Sequence, residues 1–134
     1  ATFTKFQPFV EALAEKKHNL GSDQLVVALT NTVPVNTNSV LTDITQISYT
    51  NLSSRNVTTS SSAQTSGTYK LTLADLVLTA SGAVATFRYV VLYNDTATND
   101  DLIGYYDYGS SLTMASGETF TVDFDASTGA LTIA

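Results

Sequence analysis

The chain has 134 residues, a net charge of −6 and no cysteine. That length suits one domain with a hydrophobic core of its own. The missing cysteines exclude disulfides and thiolate metal sites. Six Lys and Arg are too few for a phosphate-backbone binder, so no nucleic-acid partner is expected. Ser and Thr together number 36, against 18 formally charged residues. Hydroxyls, more than charges, therefore clothe the surface, and threonine in particular suits a pleated, half-buried one.

The opening segment, ATFTKFQPFVEALAEKK, has no long apolar run and is read as neither a signal peptide nor a membrane anchor. An initiator methionine removed ahead of Ala1 would suit a cytoplasmic product. Phe6, Phe9, Val10, Leu13 and Leu20 recur at helical spacings, which predicts an amphipathic helix over about 5–20. Pro8 is tolerated in its first turn. Lys16, Lys17 and His18 fall in its last turn as cations complementing the helix dipole, and Asn19 and Gly21 are plausible terminators.

The period then changes to two. Residues 23–31 alternate Leu25, Val27 and Leu29 on one face and read as a strand. A turn-rich connection follows, and 40–48 reads as a short helix or irregular turn. From about 55 onward strands are expected near 56–64, 68–73, 76–80, 84–93 and 101–107, with TSGT and ASGA as turns. The Ser/Thr-rich stretch within 48–66 can equally be a variable flap. In 118–125 Phe120, Val122 and Phe124 point inward, and Thr121, Asp123 and Asp125 outward. Leu131 and Ile133 close the last strand. Short strands at this spacing predict a mainly β, antiparallel sandwich or barrel-like domain with one N-terminal amphipathic α-helix.

Candidate chemistry is sparse. Asp95, Asp100 and Asp101 offer hard oxygen donors of the kind calcium takes, yet their spacing lacks the glycine and closing glutamate of an EF-hand. Asp and Asn also favour turns in their own right, so no metal and no cofactor are expected. His18 is the sole histidine, and no nucleophile elbow, Walker, zinc or GxGxxG pattern exists, so no catalytic residues and no enzyme activity are expected. Alternation over 87–93 places Phe87, Tyr89, Val91 and Tyr93 on one face and Arg88, Val90 and Leu92 on the other. Arg88 needs a partner there: a cross-strand carboxylate such as Asp107 or Asp75, or a residue of another subunit. Tyr105, Tyr106 and Tyr108 lie in the same hairpin as Tyr89 and Tyr93. Rigid tyrosines of this kind serve protein interfaces and sugar-stacking surfaces. Phe6, Phe9, Val10, Leu13, Arg88, Tyr105, Tyr106 and Tyr108 are therefore the interface candidates.

The segments KFQPFVEALAEKKHNLGSDQLVVALTNTVP, LTDITQI, TASGAVATFRYVVLYNDT, LIGYYDYGSS and GETFTVDFD resemble small proteins encoded among the structural genes of tailed bacteriophages. FRYVVLYNDT and LIGYYDYG carry the resemblance most specifically. It implies a virion structural protein, nearest to a head decoration (cement) protein. The expected partners are then the major capsid protein and copies of the chain itself, as a trimer. The expected location is the capsid surface after synthesis in the bacterial cytoplasm, with no membrane partner. A tail tube or head–tail adaptor component is the alternative, and a carbohydrate-binding β-module a second one.

Overall fold

A computed structural model describes residues 1–134. It is mainly β, with antiparallel sheets and one helix. The strands are β1 (Thr4–Lys5), β2 (Leu25–Thr30), β3 (Asn56–Val57), β4 (Thr59–Thr65), β5 (Thr68–Leu73), β6 (Leu76–Thr79), β7 (Phe87–Asn94), β8 (Leu102–Leu112), β9 (Thr119–Val122) and β10 (Leu131–Ile133); the helix α1 spans Gln7–Ala14. A five-stranded sheet runs β1-β8-β7-β2-β3. A three-stranded sheet runs β10-β5-β4, and β6 pairs with β9.

The main sheet has apolar matter on both faces. Leu25, Val27 and Leu29 of β2 join Val90, Leu92 and Ile103 in the larger core, where they meet Leu71 and Leu73 of β5, Leu78 of β6 and Val122 of β9. Val26 and Ala28 point the other way. They meet Val91, Tyr93 and Leu102 under a cover made by Phe6 and Ile44. All six residues of β2 are buried. An alternating expectation sees only one of its faces, whereas a strand buried on both reads as a near-continuous apolar run.

Helix α1 is much shorter than the 5–20 expected. Phe6 precedes its first turn, the Gln7 N–H donates to the Asn36 carbonyl at 2.9 Å, and Pro8 contributes no N–H to satisfy. The helix ends because Lys16 adopts φ 67°. The Lys17 N–H then reaches the Ala12 carbonyl at 2.9 Å and the Lys16 N–H that of Leu13 at 3.3 Å. This is a Schellman closure with lysine where glycine is commoner. Asn19 and Gly21 are thus not the terminators. Lys16, Lys17 and His18 lie beyond the helix, outside its last turn.

Two further expectations change. Phe87 belongs to the same core as Val90 and Leu92, not to the face of Val91 and Tyr93. The pairing of β7 with β8 slips between Phe87 and Tyr89, where Leu112 and Asp107 are their opposite numbers. The surplus residues lie on β8, and the change of side in β7 falls at this irregularity in the ladder. The stretch 48–66 is not a single flap. Its first part packs along β2: the Ile47 N–H donates to the Leu29 carbonyl, and the Tyr49 hydroxyl accepts from the Leu29 N–H at 3.0 Å. Arg55 donates to the Val27 carbonyl at 2.6 Å, with its guanidinium 3.6 Å from the Tyr49 ring centroid. Side chains thus finish the edge of β2 that the two-residue β3 leaves uncovered. The region 40–48 holds one 3-10 turn, Leu41–Asp43. Its Asp43 carboxylate, drawn down by backbone N–H donors from Ser39 and Val40, fastens the turn.

At the far side, β1 crosses β8 at Gly104. A Cβ there would lie 2.7 Å from the Thr4 carbonyl oxygen and clash with the edge of the Phe3 ring, so glycine lets the N-terminal strand lie close. No helix is long and apolar enough to cross a membrane.

Candidate functional site

The interface candidates do not assemble into one surface. Phe6 and Phe9 are core residues, at 0% and 4% exposure, and are withdrawn as contacts for a partner. Phe6 stacks on Tyr105 with ring centroids 5.2 Å apart, and Phe9 packs against the main core. The helical spacing that singled them out reports burial within the chain. Val10 remains open on the outer side of α1, and Leu13 lines a groove described below.

Arg88 makes a two-pronged bond to Asp107, Nε to Oδ1 at 2.8 Å and Nη2 to Oδ2 at 3.2 Å. The pairing holds the Asp107 carboxylate below its ordinary range, helped by the Gly109 N–H. Both side chains are exposed, so the pair fixes local geometry more than it stabilises the fold. The tyrosines divide between the two sides of β8. Tyr105 donates to Asn36 Oδ1 at 3.3 Å. Tyr106 sits between Phe3 and Phe124, with centroids at 5.1 and 6.1 Å. Burial, with Asp123 and Asp125 nearby, pushes its phenol up to about 12. Tyr108 rides on the β8 bulge, edge-on to Phe120 at 5.3 Å, and is half exposed. Tyr106, Tyr108, Val90, Phe120 and Val122 enclose a mainly apolar crevice of about 200 Å³.

In the acidic loop, no group of three or more His, Asp or Glu side chains converges as metal ligands would. Asp100 adopts φ 52°. Burial, Asp95 and Asp101 all raise its carboxyl above the ordinary range. The loop is organised instead by Asn94, which is fully buried. Its Oδ1 accepts from the Thr96 and Ala97 N–H groups at 3.0 and 3.2 Å.

A concavity of about 830 Å³ lies between this loop, the connection after α1 and the β4–β5 hairpin. Lys16, Lys17, His18 and Asn19 line one wall, Thr96, Thr98 and Asn99 another, and Ser62, Tyr69 and Ile133 the third. Ser62 and Tyr69 join hydroxyls at 2.7 Å across the hairpin. Here the structure corrects the expectation for His18. It is no exposed cation at a helix end, but 6% exposed against Phe9, their rings 5.1 Å apart. Burial is the main reason its imidazole titrates below the ordinary range. Asn94 and Asp23 complete this cluster, and neither was singled out from sequence. The signal available was weak: one histidine, and an Asn breaking an apolar strand at its end.

Compared with protein-family models, curated proteins and solved structures, the chain matches none of them.

Proposed function

We propose that the protein is a structural component of a tailed-phage virion, a decoration protein that assembles on the head shell and reinforces it. The observation that carries this reading is β4. It is exposed at six of its seven positions, carries no charge, and has β5 on one side and no strand on the other. Natural edge strands are commonly blunted by charge, proline or cover, and an unblunted one is a template for pairing with another chain. Behind it stands a body with two cores. Repeated on a symmetric shell, modest contacts add through multivalency. The sequence blocks FRYVVLYNDT and LIGYYDYG lend the virion reading its specificity.

Cryo-EM of purified virions tests this directly, with density for the chain expected at many equivalent sites on the head. Density confined to the tail sinks the decoration reading. A tail tube or adaptor is the second reading, and the same free edge favours it, since ring closure also needs edge-to-edge contact. Spontaneous hexameric rings of the purified protein would decide for it. For the carbohydrate-binding reading, only Tyr108 among Tyr105, Tyr106 and Tyr108 is widely open. A stacking platform generally needs more than one such ring.

A further inference from the structure

The connection between α1 and β2 meets the loop between β7 and β8 at two places: at Gln24, whose N–H donates to Thr96 Oγ1 at 2.8 Å and whose carbonyl accepts from the Asp95 N–H at 2.9 Å, and at a cluster of three side chains, His18, Asp23 and Asn94. Asn94 Nδ2 donates to Asp23 Oδ2 at 2.7 Å and to His18 Nδ1 at 3.0 Å. The orientation of the Asn94 amide is set twice over. Its oxygen is taken by the Thr96 and Ala97 N–H groups. Its other contact, the Asp23 carboxylate, only accepts. His18 Nδ1 must therefore present a bare lone pair, and the neutral ring carries its proton on Nε2. That Nε2 is buried without a hydrogen-bond partner. A second proton has only Nδ1 to occupy, where it would confront the Asn94 donor. The bond that closes the cluster is thus incompatible with an imidazolium.

The charges around the ring do not all agree. Asp23 on the same connection and Asp101, just before β8, favour protonation; Lys17 opposes it. Lys16 and Tyr69 also line the adjoining groove. Desolvation outweighs the two carboxylates.

We propose that the His18–Asn94–Asp23 cluster is an acid-released latch, which holds residues 15–23 against the β7–β8 loop at neutral pH and, when the ring takes a second proton, frees the groove between them while the Gln24 bonds stay as the hinge. The opened state binds that proton more readily than the latched one. Opening is therefore favoured as pH falls from the ordinary histidine range through the lowered one, and the gain levels off below it.

The chain has one histidine, so its imidazole resonances titrate without ambiguity in NMR. The expected midpoint lies below that of the urea-unfolded chain. In parallel, the hydrogen-exchange protection factors of the Thr96 and Ala97 amides should fall by about tenfold per pH unit between the two midpoints, the slope of one linked proton. An ordinary or raised midpoint, or protection that stays flat while the ring titrates, overturns the latch. His18→Gln should abolish the pH-linked step. If the step survives, it belongs to a carboxyl such as Asp100, and the proposal fails. Asn94→Asp puts an acceptor against Nδ1 and should reverse the sign, raising the midpoint. Should either variant not fold, the unmodified protein's two curves still decide.

Discussion

β2 and β4 are both antiparallel strands of six or seven residues, yet they use their side chains in opposite ways. Every residue of β2 is buried, with alternate positions feeding two separate cores. β4 exposes all but its first residue and holds on by its backbone ladder to β5. Their environments differ correspondingly. Along β2, even the stretch that β3 fails to cover is closed by Arg55 and Tyr49. Along β4 no strand pairs with the outer edge. The side chains that finish one edge and the unpaired edge of the other thus mark two kinds of strand in one chain.

The sharpest way to break this contrast is Leu29→Ala. Leu29 is fully buried in the larger core, and its truncation should cost about 2–5 kcal/mol, read as a lowered midpoint in urea unfolding. A loss near zero would mean that β2 does not anchor the fold. Arg55→Ala comes next. It removes both the bond to the Val27 carbonyl and the stack on Tyr49. We expect a loss of about 1–3 kcal/mol, the range for a carbonyl left without its charged donor, and faster exchange of the Leu29 amide. The smallest effect on folding belongs to Ala63→Lys on β4, within about 0.5 kcal/mol of the parent. Its effect on assembly should be large, since a lysine on an edge deters pairing. Virions or capsids incubated with this variant should retain far less of it than of the parent. Equal retention would show that β4 is not the contact edge.

Much of this architecture was readable beforehand, for physical reasons. Val122 and Phe124 are buried while Thr121, Asp123 and Asp125 are exposed, because a strand with one wet face must alternate. The Arg88–Asp107 pair lies between neighbouring strands of a hairpin, where a charge among apolar neighbours calls for a cross-strand carboxylate. What escaped depends on contacts that no local pattern encodes. Lys16 at positive φ stops α1 early, although a lysine at that position ordinarily argues for helix. Phe87 changes sides at a slip in the β7–β8 ladder, which depends on a strand some twenty positions later. His18 is buried by Asn94 and Phe9, and only one of those is nearby in the chain. Arg55 sat in a Ser/Thr-rich stretch with no periodicity to announce that it would finish a sheet. The free edge of β4 was equally hidden, since edges are a property of sheet order.

The central place of β2 has a consequence for how the protein is made. Leu25 pairs with Asn94 and Thr30 with Tyr89, so LVVALT emerges during synthesis well before its principal neighbour exists. Until then it is an uncharged, β-prone hexapeptide with nothing to bind, the sort of segment that seeds aggregates. Pairings this distant in sequence also form slowly. A cell producing the chain would therefore lean on its chaperones at that stage, and yield would respond to temperature and expression rate more than to the stability of the finished molecule.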